Sequence, residues 1–174
     1  MPVLLRCFTL GSRAPSNYEI LEYSSVCVLK ATENNADQSL NGTVLFQQQS
    51  DGNLLVTLNV TGLSDGNHAF HVHEYGDVSS RDGMATGGHF IGDCDNCRPA
   101  GLPQEVGLLH NGMAMLSSGG EASVVFVEEI AKLGGVNSID GRAIIIHGNS
   151  TSSSTRVAQC VIGRASGDVS APGM

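Results

Sequence analysis

A chain of 174 residues is the length of one domain, and its net charge of −8, from 9 Lys and Arg against 17 Asp and Glu, argues against a nucleic-acid partner. No apolar run approaches the ~18 residues of a membrane span, and 41% hydrophobic residues are too many for a disordered chain. Gly is plentiful at 22, charged residues are only 15% and Trp is absent, which suits short strands and tight turns rather than a helical bundle.

Residues 1–20, with Gly11, Ser12, Pro15 and Ser16, read as an arm outside the core. A first strand is expected from Leu21 to Lys30, centred on Ser24–Leu29, and a second over Gly42–Gln48. Ser50-Asp-Gly52 is a hairpin signal. The return strand places Leu54, Val56, Leu58 and Val60 on one face. A turn-rich corner over 61–67 leads to a fourth strand, His68–Glu74. Residues 75–111 then form a long loop rich in Gly and Pro, and loops of this length inside a compact domain are usually functional. Strands are expected at Gly112–Leu116, Ala122–Glu128, Arg142–His147 and Arg156–Arg164, with a polar loop, Gly148–Thr155, before the last. The tail 166–174 reads as flexible. Eight strands without a helical pattern predict an all-β sandwich or barrel over residues 21–165.

The five cysteines are Cys7, Cys27, Cys94, Cys97 and Cys160, an odd number that leaves at least one thiol unpaired within the chain. Three N-glycosylation triplets begin at Asn41, Asn59 and Asn149 and favour an extracellular location. The first ten residues do not read as a signal peptide, because a basic leader is missing and Arg6 interrupts the apolar stretch. The sequence reads either as an internal protein or as a trimmed fragment.

The chemistry gathers on histidine. His71 and His73 lie two apart on a strand, so the pleat points both to one face, where two imidazoles can share a metal ion. His89 follows Gly87-Gly88, which lets backbone approach a site closely. His147 closes the apolar strand Ala143-Ile-Ile-Ile146 at a loop mouth, where a surface His is the alternative. Three or four imidazoles without a required thiolate suit copper among the biological metals.

These motifs, taken together and in order, resemble the copper/zinc superoxide dismutases. The segments are Val26-Cys-Val-Leu-Lys30, His71-Val-His73-Glu-Tyr-Gly-Asp77, Gly88-His89-Phe90, Ile145-Ile-His147, Arg156-Val-Ala158 and Val161-Ile-Gly163. The resemblance runs colinearly from about Ser25 to Ala165. It implies an eight-stranded Greek-key β-barrel, an immunoglobulin-like sandwich. It makes His71, His73, His89 and His147 the copper ligands and Arg156 the residue that attracts and orients superoxide. It assigns His68 a structural role, bonding backbone.

The departures from that family are specific. Its zinc site uses the bridging His, two further His and an Asp. The positions matching the last His and the Asp are Glu105 and Leu108, and no His lies between His89 and His110. Glu105-Val-Gly107 resembles the copper-only members of the family, in which a Glu replaces zinc as the partner of the bridging His, although an Asp is usual where Leu108 stands. Only Gly148–Thr155 separate His147 from Arg156, a deletion those members share, and the Asp that joins the two metal sites is absent. The family's disulfide is altered as well. Cys160 is shifted by one residue, which turns it to the opposite face unless a bulge intervenes, and its usual loop partner is replaced by Asp82-Gly83. Cys94 or Cys97 could pair with Cys160, the two could pair with each other, or they could bind metal with His110. Cys27 is read as a buried thiol and Cys7 as an arm residue.

The resemblance therefore implies a superoxide dismutase with one copper ion, no zinc, and Arg156 and Glu105 as catalytic residues. The implied partner is superoxide, a small anion; no nucleic acid and no membrane span are expected, and the sequence leaves the oligomeric state open. Two alternatives are a catalytically silent copper-binding homologue and a copper-delivery module. Such proteins usually lose a His ligand or the Arg, and the delivery modules carry an extra metal domain.

Overall fold

A computed structural model describes residues 23–150 and 152–166. The arm over 1–20, including Cys7, the first two residues of the expected first strand, and all of the tail but Ser166 lie outside the described residues. The strands are β1 (Ser24–Ala31), β2 (Asn41–Gln48), β3 (Leu54–Thr61), β4 (Gly66–His73), β5 (Met115–Ser117), β6 (Glu121–Glu128), β7 (Ala143–Asn149), β8 (Arg156–Val161) and β9 (Gly163–Arg164). The expected last strand is thus split at Ile162, and β9 pairs with β1. The order around the sheet is β5-β4-β7-β8-β1-β2-β3-β6. The end strands β5 and β6 are joined by a tight turn in which Ser118 and Glu121 exchange backbone hydrogen bonds, so the antiparallel barrel is nearly closed. Strands β4, β5 and β6 follow one another while β3 lies beside β6, a Greek-key connection.

The wall follows from alternation. In β3, Leu54, Val56, Leu58 and Val60 are buried, and the residues between them are partly exposed. They meet Phe46 and Val44 of β2 and Phe126 of β6 inside the barrel, where the rings of Phe70 and Phe126 lie 5.9 Å apart. Gly52, at φ 86°, closes the β2–β3 hairpin in a conformation that favours glycine. Strand β7 differs, because it is buried on both faces from Ala143 to Gly148. Ile144 and Ile146 point into the core, while the opposite face is covered by the long loop that follows β4.

The expected strand at 112–114 does not form. Residues 109–112 instead make a tight 3₁₀ turn in which His110, Asn111 and Gly112 all have positive φ, which delays β5 until Met115.

The cysteines correct one expectation. Cys27 is not a free thiol. It is bonded to Cys160 inside the barrel, and Cys94 is bonded to Cys97. The one-residue shift of Cys160 explains the first bond. Ala158 and Cys160 face inward with the core, and the register slip between β7 and β8 lies upstream, at Ile146/His147, so it does not turn Cys160 back. Gln159 faces the loop instead, and its Nε2 donates to Ser80 O at 3.0 Å. A side-chain hydrogen bond thus ties loop to strand at the position next to Cys160. The other Cys94–Cys97 alternatives raised by the sequence, a bond to Cys160 or a metal site with His110, are not what forms.

Candidate metal centre

Four imidazoles converge where β4, β7 and the long loop meet. His71 and His73 come from one face of β4, His147 from β7, and His89 from the loop segment that bridges to His73. One ring nitrogen from each lies within 4.8 Å of the other three, a spacing that one ion can fill. The loop reaches this position because Phe90 donates its backbone N–H to Val72 O at 2.9 Å and Val72 returns one to Gly107 O at 3.0 Å. A side chain at 107 would collide with Val72 O, so the close approach needs glycine there.

The buried nitrogens left without partners describe what the site fits. His71 Nδ1 and His73 Nε2 are buried and unpaired, and the buried ring nitrogens of His147 have no closer neighbour than the backbone of Ser153 and Ser154 to bond. His73 Nδ1 donates to Gly87 O at 2.9 Å, which leaves its Nε2 lone pair for a metal. His89 donates from Nδ1 to a Glu105 carboxylate oxygen at 2.7 Å, which leaves its Nε2. Unpaired buried polar atoms are costly, and four ring nitrogens within 4.8 Å of one another suit a nitrogen-preferring ion such as copper.

The electrostatics favour the neutral, ligating form. Burial, followed by the positive charge of neighbouring imidazoles, pushes His71 down to about 3. Burial likewise takes His73 to about 3, assisted by Arg156 and against the Gly87 hydrogen bond. His147 falls to about 4 through burial, His89 and Arg156, against hydrogen bonding to the backbone of Ser153 and Ser154.

Arg156 lines the same open cleft as the four imidazoles and Glu105. The register slip at the start of β8 sets its position. Nη1 donates to Gly83 O at 2.7 Å and to Thr86 Oγ1 at 3.0 Å, and Nη2 donates to Gly87 O at 2.7 Å. These acceptors are neutral, and the carboxylate whose charge acts on the cation is Asp82. Ser152, Ser153 and Ser154 of the short loop before β8 line the same cleft. His68 stays out of the cleft. It is 1% exposed, with ring nitrogens 2.7 Å from His147 O and 2.8 Å from Ser64 O, the backbone role expected of it.

Leu108 is buried, 5% exposed, and supplies no donor. Sequence reasoning missed the groups that hold the loop. Arg98 and Glu128 form an ion pair at 3.1 Å with both side chains almost wholly buried. Arg142 pairs with Glu74 at 2.9 Å and lies 3.4 Å over the Phe90 ring. Thr86 is fully buried between Arg156 and His73. None of these carries a local pattern; each meets a partner far away in sequence.

The sequence profile of the copper/zinc superoxide dismutase family matches residues 40–171. Superoxide dismutase [Cu-Zn] A of Xenopus laevis is 35% identical over 124 residues, covering 71% of this chain and 76% of that protein. Superoxide dismutase [Cu-Zn] 2 of Brassica juncea is 35% identical over 114 residues, covering 65% and 73%. The crystal structure of the clock protein EA4 superposes with a TM-score of 0.63 at 25% identity, covering 82% of this chain and 94% of that one.

Proposed function

This chain belongs to the copper/zinc superoxide dismutase family, and from that premise we propose that it is a copper-dependent superoxide dismutase that works without zinc. The observation that carries the reading is the 2.7 Å bond from His89 to Glu105 beside a cage of four imidazoles. His71, His73, His89 and His147 would hold the one copper ion. Bound there, copper would supply one-electron redox chemistry, by which one superoxide would be oxidised to dioxygen and a second, with two protons, reduced to hydrogen peroxide.

The chain's own groups do the rest. A protein of charge −8 repels an anion. Arg156, fixed at the cleft by three neutral acceptors, supplies the local attraction and orients the substrate. Glu105 accepts the Nδ1 proton of His89, which fixes the ring and its tautomer and makes Nε2 a better donor. In the two-metal relatives a zinc ion occupies that role. Buried imidazoles with low proton affinity keep the cage free of competing protons at neutral pH.

All four ligands and Arg156 are retained, which weighs against the silent homologue and the delivery module. Two disulfides support an extracellular location, since such bonds persist in oxidising compartments. The test is superoxide decay measured on the purified chain loaded with copper alone. Rapid catalytic decay is expected; bound copper without decay would leave a copper-binding homologue.

A further inference from the structure

We infer that Arg98 is a positioning residue for the metal centre, its buried guanidinium holding the Glu105 segment so that the carboxylate meets His89. The inference rests on the reading of Glu105 given above.

Arg98 touches no imidazole of the cage. Its donors go to the backbone that carries Glu105. Nε donates to Glu105 O at 3.1 Å and Nη2 to Val106 O at 2.8 Å. Nη1 reaches Asn111 Oδ1 at 3.3 Å and the Glu128 carboxylate at 3.1 Å. Glu128 is fixed in turn by the N–H groups of Ile130 at 2.9 Å and Ala131 at 3.2 Å. The pair is therefore anchored at the end of β6, part of the barrel wall, and at the first residues of the connection that follows it.

The Glu105 segment is gripped from the other side too. Val106 N–H donates to Ile91 O at 2.9 Å, and Gly107 N–H to Phe90 O at 2.8 Å. His89 is the residue just before Phe90. The backbone that launches the carboxylate and the backbone that launches the imidazole are thus locked side by side, with Arg98 closing the outer edge. Its own entry is set by two neighbours. The Cys94–Cys97 bond fixes the residue before it, and Gln104 Oε1 accepts its backbone N–H at 3.0 Å.

The sequence makes this support necessary. Leu108 holds Glu105 O only through its backbone N–H, at 3.3 Å, its side chain has no polar group to add, and on the reading above no metal holds the segment. A planar guanidinium can spread over two adjacent carbonyls and a carboxylate at once; an ammonium cannot. The geometry therefore assigns Arg98 a job that Lys would not do even with the charge kept.

The test is Arg98→Lys in the 174-residue chain, read first by proton NMR of the metal-free and copper(I)-loaded protein. In the wild type the His89 Nδ1 proton is expected as a slowly exchanging, strongly deshielded signal. In the folded variant that signal should vanish or exchange at least tenfold faster, and superoxide decay by the copper-loaded enzyme should slow by about ten- to a hundredfold, the loss also expected of Glu105→Ala. A purely structural role would lower the unfolding midpoint and leave the His89 proton in place. If Arg98→Lys does not fold, Arg98→Met with Glu128→Gln removes both buried charges and carries the same expectation. A folded variant with the His89 proton and the rate both intact overturns the inference. A wild type that holds the proton but does not dismutate superoxide overturns the parent reading alone, because the proton signal still reports on Arg98.

Discussion

The wall β1-β2-β3-β6 and the long loop between β4 and β5 are built on opposite rules. The wall is held by many equivalent contributions. Each β2–β3 and β3–β6 pair runs in unbroken register over eight residues, and the apolar core behind it repeats every second position. The loop is held by a few backbone bonds to β4 and by individual side chains: Arg98 to Glu128, Arg142 to Glu74, Arg156 to Gly83 and Gly87, Gln159 to Ser80. The cage takes three ligands from β4 and β7, strands of the barrel outside that wall, and one, His89, from the loop. The contrast separates stability from chemistry. Damage to the wall should cost folding, whereas damage to the loop should cost function at nearly constant fold.

The largest expected effect is on the cage. His71→Ala should abolish tight copper binding and dismutation while leaving the circular dichroism and unfolding cooperativity of a barrel, because the core is apolar. Copper retention with activity in that variant would break the comparison. Next comes the wall. Phe46→Ala, at a fully buried position of β2, should lose about 3–5 kcal/mol of stability by denaturant unfolding. In the fraction that remains folded, the copper site should be unchanged. Glu105→Ala should do the reverse, lowering the rate about ten- to a hundredfold at unchanged unfolding midpoint. Arg156→Ala should keep copper, slow turnover by about tenfold to a hundredfold and flatten its salt dependence.

The smallest effect is one of pH. In the folded metal-free protein His71, His73 and His147 take up protons only near 3 to 4, whereas an unfolded His does so near 6.5. Between those values the unfolded chain binds more protons, so stability is full above about pH 6.5 and falls as the pH drops toward 3. Denaturant midpoints of the metal-free protein should be lower at pH 5 than at pH 7, and the difference should shrink in His71→Ala. Equal midpoints would mean that the cage is hydrated and unburied.

The same contrast explains what could be read from sequence. Alternation in Leu54–Val60, the turn at Gly52 and the pair His71 and His73 are local patterns, so the wall and half of the cage were legible directly. His89, His147, Arg156 and Glu105 needed the family resemblance, because strand pairing and loop return bring them together from distant positions. Arg98 and Glu128 were not legible. Buried partners separated by 30 residues leave no periodic trace. Cys27 was misread because a buried half-cystine and a buried thiol look alike until β8 is in register beside β1.

The claim at the centre of the account is that Glu105 does for His89 what zinc does in the two-metal relatives. The direct measurement is metal content by mass spectrometry of protein offered copper and zinc together, taken alongside superoxide decay. The account predicts one tightly held copper per chain, no retained zinc, and a rate that added zinc does not change. One equivalent of zinc bound beside the copper and required for full activity would contradict it.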